Sequence, residues 1–162
     1  MGYRREVIVI VIVMLFVAGC GKQRPADKVS YVADDDPRMN AAIAKARSTV
    51  NTFIAALKAP KPGQSVFSVK VPFTDGPNTE HIWLTPVSYD GKRFRGTVDN
   101  EPEKVKNVRT GQNLTVAPSE ISDWMYVENR KLIGGYTLRV LRDALTADER
   151  VEFDRSVPFT ID

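Results

Sequence analysis

A chain of 162 residues is long enough for one domain of ordinary size and too short for several. Its 23 basic and 20 acidic side chains leave a net charge of +3 and are interspersed rather than gathered into a basic stripe, so the balance speaks against a nucleic-acid partner. One cysteine and one histidine exclude an intramolecular disulfide, a thiolate metal cluster and a two-histidine metal site.

The amino terminus is a separate object. Arg4 and Arg5 precede an unbroken apolar run from Val7 to Phe16, and Val17-Ala18-Gly19-Cys20 closes it with small residues and the cysteine. The pattern resembles a lipoprotein signal peptide, residues 1–19, cleaved before Cys20. As a helix, the thirteen residues from Val7 to Gly19 reach about 20 Å. A bilayer core needs roughly 30 Å. Lipid attachment at Cys20 explains the lone cysteine, and several acyl chains on it would hold firmly where one binds only marginally. The expectation is a membrane-anchored lipoprotein of the cell envelope, facing the periplasm or the cell exterior. Residues 20–33, polar and without apolar periodicity, read as a flexible tether. A single domain is expected over 34–162.

Asp34-Asp35-Asp36-Pro37 opens that domain. Asp36 suits an N-cap and Pro37 the first helical position, and Met39, Ile43, Ala46, Val50, Phe53, Ile54 and Leu57 recur at helical spacing. The spacing predicts one long helix from 37 to 58, stopped by Pro60 and Pro62. Capping explains the aspartates better than a calcium loop, which needs spaced oxygen ligands and a glycine turn.

Phe67, Val69, Val71 and Phe73 then alternate with polar residues and Pro72, predicting a half-buried strand that is edge-like at Pro72. After a loop over 74–78, Glu80 to Tyr89 and Arg93 to Val98 flank Asp90-Gly91, a hairpin signal. Leu114 and Val116 belong to a further short strand. In the run from Ser119 to Leu145, Ile121 and Trp124 to Val127 form an apolar strand. Glu128-Asn129-Arg130-Lys131 is a turn, Leu132 and Ile133 resume the strand, and Gly134-Gly135 permits a sharp bend. Tyr136 to Val140 is expected to continue as strand before a helix begins. Thr146 and Glu149 form a capping box for a short last helix. The fold expected is α+β: a compact curved antiparallel sheet of five or six short strands that could close toward a barrel, with a long N-terminal helix on one face and a short C-terminal helix.

The segment ISDWMYVENRKLIGGYTLRVL, with EHIWLTPVSYDGKRFRGTVDNEP upstream, resembles the YegJ-like family, bacterial proteins grouped as domain of unknown function 2314. The resemblance covers most of Lys70 to Arg142 and rests on the Asp-Trp and Gly-Gly pairs. It implies an uncharacterised domain and no activity. Arg130 stands where the family pattern has glycine, which points to a different turn.

No nucleophile motif, metal-binding motif or phosphate loop occurs, so no residue is assigned a catalytic role and no cofactor or metal is expected. His81, in a strand beside Trp83, reads as hydrogen-bonded structure. Asp123, Trp124, Gly134 and Gly135 are the candidate binding surface, since a Trp beside a charge can anchor a partner. The plainer reading is that Trp124 fills the core and Asp123 ties a turn or pairs with Arg139. The function expected is a non-enzymatic domain binding a protein or envelope component. The alternatives are an immunity-type toxin-neutralising protein and a hydrolase using Asp123 with Glu120 or Asp99.

Overall fold

A computed structural model describes residues 36–162 and, before them, only the short paired segments Ile8–Val9 and Ser30–Tyr31. Apart from those four residues, the expected signal peptide and tether lie outside the described residues, as does Cys20.

Asp36 caps helix α1 (Pro37–Ser48), its Oδ1 accepting from the Arg38 amide at 2.8 Å. The expected single helix over 37–58 is present as two, because Thr49 leaves helical geometry (φ −108°, ψ 7°) and α2 (Val50–Lys58) starts anew. The Thr49 hydroxyl donates back to the Lys45 carbonyl at 2.7 Å, a side-chain bond that competes with the helical ladder.

Six strands follow: β1 (Gln64–Asp75), β2 (Asn78–Tyr89), β3 (Phe94–Val98), β4 (Asn113–Val116), β5 (Asp123–Glu128) and β6 (Lys131–Gly134). They form one antiparallel sheet in the order β4-β3-β2-β1-β5-β6, open at β4 rather than closed into a barrel. The first two strands have twelve residues each, longer than expected, because Asp75 still pairs with Asn78 and the turn shrinks to Gly76-Pro77. Their hairpin projects beyond β5, whose pairing with β1 ends at Lys70. Pro72 therefore lies in a central strand but, among the described residues, pairs with a strand on one side only, which suits a residue with no amide hydrogen.

Asn129 and Arg130 both take positive φ (49° and 67°) in the two-residue turn between β5 and β6. Arg130 thus adopts the left-handed backbone that glycine would take, so the turn keeps its hand at some steric cost. The expected strand over 136–140 is instead the start of helix α3 (Tyr136–Ala144). The periodicity fitted both elements, and the bend at Gly134 and Gly135 decides for the helix by turning the chain off the sheet. Helix α4 (Ala147–Ser156) has the expected box: the Thr146 amide donates to Glu149 Oε2 at 3.0 Å and the Glu149 amide to Thr146 Oγ1 at 3.4 Å. The C-terminal segment then runs beside β6, with the Leu132 amide donating to the Thr160 carbonyl at 2.9 Å.

The sheet divides two interiors. On one face Val69, Val71, Ile82, Leu84, Phe94, Trp124 and Tyr126 pack with Ala46 and Phe53 of the first two helices. On the other, Trp83, Met125 and Leu132 meet Leu138, Phe153, Phe159 and Ile161. Helix α3 joins the two: Tyr136 packs edge-on against Trp124, Leu138 enters the second cluster, and Leu141 contacts Met39 of α1.

Candidate functional site

Strand alternation places Ser68, Lys70, His81, Trp83, Thr85, Asp123 and Met125 on the second face, because Lys70 pairs across the strands with both Trp83 and Asp123. Ser68, Lys70 and Asp123 have no exposed surface, and Thr137 of α3 is 1% exposed. A polar cluster is thus sealed beneath α3.

Asp123 is its hub. Oδ1 accepts from the amides of Trp124 (2.8 Å) and Tyr136 (3.1 Å), and Oδ2 from the amide (2.8 Å) and hydroxyl (2.6 Å) of Thr137. Gly135 occupies the N-cap position of α3 and has no side chain, so a carboxylate from the neighbouring strand caps the helix instead. Burial pushes the Asp123 carboxyl above the usual range, and the Thr137 hydroxyl, the Lys70 charge and the amides pull it back.

Lys70 is less well met. Its Nζ reaches Thr137 Oγ1 at 3.5 Å and lies 5.3 Å from the centre of the Trp83 ring. Burial brings the ammonium down to about 8, partly opposed by Asp123. Beside it, His81 Nδ1 lies 2.8 Å from Ser122 Oγ, and that hydroxyl is 3.3 Å from the Lys70 carbonyl. Desolvation, with the charges of Lys70 and Arg47, draws the imidazole down to about 3, so it is neutral near pH 7. Arg47 reaches in from α1, Nε donating to the Ile121 carbonyl at 2.9 Å.

The four residues expected at a binding surface are brought together, but inside the protein. Trp124 is 1% exposed, and its indole Nε1 donates to the Ala46 carbonyl of α1 at 2.9 Å. The Gly135 amide donates to the Trp124 carbonyl at 2.8 Å. Gly134 sits at φ 75°, where a β-carbon would come within 2.5 Å of the indole ring, so only glycine lets the backbone cross there. Arg139 does not pair with Asp123; it donates to the carbonyls of Gly134, Leu132 and Asp162. Glu120 pairs with Arg93 at 3.2 Å, and Asp99 shares no partner with Asp123.

Glu80 has no exposed surface, and its carboxylate accepts from the amides of Glu103, Lys104 and Val105, fastening the 99–112 loop to the projecting hairpin. The sequence shows it only as a charge in an apolar strand.

The model of a bacterial family described as "Uncharacterized protein conserved in bacteria (DUF2314)" matches residues 36–160, which spans the whole structured domain. The chain belongs to this family. The chain is 37% identical over 131 residues to "Uncharacterized protein YegJ" of Escherichia coli K12, covering 81% of this chain and 84% of that one. It is 35% identical over 136 residues to a putative ankyrin repeat protein of Neisseria meningitidis, covering 78% of this chain and 53% of that protein. No solved structure matches at a significant level. Membership in the DUF2314 family assigns no chemistry to the cluster.

Sequence reasoning singled out Asp123 with Trp124, Gly134 and Gly135, and passed over Lys70, Thr137 and Ser122. Lys70 looked like the outward half of an alternating strand; the signal available was that it alternates on the same side as Trp83 across the hairpin. The pairing of His81 with Ser122 spans residues far apart in the chain and left no local trace.

Proposed function

We propose that this DUF2314 protein is a lipid-anchored envelope protein whose domain is a non-enzymatic binding module for a protein or envelope component. The arrangement of the chain carries this reading: a basic and apolar leader ends at Cys20, a polar stretch follows, and the packed domain starts at Asp36. The buried acids support the second half of it. Asp123 and Glu80, the carboxylates with no exposed surface among the described residues, are both bound to backbone amides that hold elements together, which suits a scaffold better than a group awaiting a proton. The accessible surface for a partner then comprises the outer faces of β3 and β4, with Arg95, Asn113 and Thr115, and the projecting hairpin.

Intact-mass analysis of the tagged full chain extracted from membranes tests the anchor: a species beginning at Cys20 with added acyl mass is expected, and Cys20→Ser should release the protein from the membrane. Affinity capture from the same extract tests the module. Recovery of an unprocessed, unacylated chain would overturn the anchor, and turnover of a substrate that is lost in Asp123→Asn would replace binding with catalysis.

A further inference from the structure

Three elements bring basic side chains to one corner of the domain. Arg47 comes from α1, Lys70 from β1 and His81 from β2, with Ser122 at the entry to β5. Arg47 is exposed, and only its Nε is engaged, by the Ile121 carbonyl; its two terminal nitrogens have no partner among the described residues. Asp123 is the carboxylate whose charge reaches Lys70, and it is already bound to the amides that start α3. Asp123 offsets Lys70, and the charge of Arg47 has no ion pair among the described residues.

Ser122 Oγ carries a single hydrogen, for which the Lys70 carbonyl and His81 Nδ1 are the acceptors within reach, and where it goes sets the tautomer of the ring. With the Ser122 hydroxyl donating to the Lys70 carbonyl, Nδ1 of the ring is the donor to Ser122 Oγ. Nε2 is then the lone-pair nitrogen, and it has no partner among the described residues. A cation has nothing to gain from that lone pair with two positive charges beside it.

We propose that Arg47 and His81 form a site for an oxyanion, a carboxylate or phosphate group, held by the paired terminal nitrogens of Arg47 and by Nε2 of His81, with Ser122 fixing the ring and Lys70 supplying charge from below. This deepens the binding-module reading and rests on it. A planar guanidinium with one edge anchored presents its other two nitrogens in a fork that matches an oxyanion. Binding takes up one proton: Nδ1 keeps its hydrogen for Ser122, and Nε2 gains one that it donates to the anion. Burial, with the charges of Arg47 and Lys70, otherwise holds the ring neutral; the anion's charge offsets those two charges, so occupancy and ring protonation favour each other.

Because the chain has a single histidine, its imidazole signals can be followed in the full chain in detergent, provided that the affinity tag contains none. Inorganic sulfate, whose charge is constant between pH 5 and 7, is the first probe, with sodium chloride at matched ionic strength as control. A saturable shift of the ring signals is expected, with an apparent affinity roughly a hundredfold tighter at pH 5 than at pH 7, tenfold per pH unit, as uptake of one proton requires. Arg47→Gln should weaken binding about tenfold, the worth of one charge-assisted pair, and Arg47→Lys should keep part of it. Acetate, inorganic phosphate and vesicles of anionic phospholipid then separate carboxylate, free phosphate and headgroup as the natural source. A shift that never saturates, that chloride reproduces, or that Arg47→Gln leaves unchanged would overturn the site. Partner capture by the tethered domain is read separately, so a failure here is distinguishable from a failure of the module itself.

Discussion

On the face of the sheet toward α1 and α2, Phe53 has no exposed surface and stacks on Trp124 (5.4 Å between ring centres), with Phe67 and Phe94 at 6.0 and 5.7 Å. On the other face, equally buried positions hold Ser68, Lys70, Thr85 and Asp123, joined by pairs such as Ser68 Oγ to Thr85 Oγ1 at 2.5 Å. The first face draws its stability from apolar area and ring contacts, which tolerate small shifts in geometry. The second depends on directed bonds, each of which leaves a desolvated group behind when its partner is removed. A fold that needed only stability would have little reason to build the second kind.

The largest effect expected is on the apolar face. Phe53→Ala should cost about 3 to 5 kcal/mol, because the cavity lies among three other rings that cannot collapse into it without moving a strand. Urea denaturation at pH 7 measures this, and a loss near 1 kcal/mol would mean that α2 is less firmly packed than its contacts indicate.

Asp123→Ala comes next, at about 2 to 4 kcal/mol, since it leaves the Trp124, Tyr136 and Thr137 amides without their acceptor and α3 without its cap. Asp123→Asn should recover part of the loss, because one amide oxygen still accepts. Hydrogen exchange at Tyr136 and Thr137 separates a local effect from a global one: their protection should fall more than that of β1 or β2.

A third test uses pH. His81 has a folded value near 3 against 6.5 when free, so protonation favours the unfolded chain. Its contribution is fully present above about pH 6.5 and is lost as the pH falls toward 3, amounting to about 2 to 3 kcal/mol by pH 4.5. His81→Gln should flatten that part of the stability profile, measured by denaturation midpoints between pH 4.5 and 7. An unchanged profile would place the ring in water rather than against Ser122.

The contrast between the faces also explains what the sequence disclosed. Phe67, Val69 and Val71 announce the apolar face by strict alternation, and Trp124 and Tyr126 repeat it, because burying area requires only the right period. The capping of α1 by Asp36 and of α4 by Thr146 and Glu149 was legible for a similar reason: donor and acceptor are three residues apart or fewer. The polar face was not. Asp123 caps α3 from another element, Glu80 holds a loop more than twenty residues away, and His81 meets Ser122 across the sheet, so each bond depends on tertiary register. Gly134-Gly135 was seen as a bend, whereas the close approach of Trp124 that makes Gly134 irreplaceable is a property of the assembled fold.

Lys70→Met should have the smallest effect and says most about why the second face is polar. The ammonium is fully buried with one distant acceptor, Thr137 Oγ1, and its folded value of about 8 lies below the unfolded 10.5, so charging it opposes folding. The sign follows: from pH 8 to 10.5 the unfolded chain binds more protons, wild-type stability rises with pH, and Lys70→Met should abolish that rise. At pH 7 the variant loses the attraction to Asp123 and sheds the desolvation cost, leaving a net change within about 1 kcal/mol. A loss as large as that of Asp123→Ala would show that the two form a mutual ion pair and that the face is held by charge. A change near zero would mean that Asp123 is sustained by its amides alone and that Lys70 is not required for stability. A buried lysine that the fold does not need, set beneath His81 and near Arg47, is then accounted for by the charge it lends to that corner.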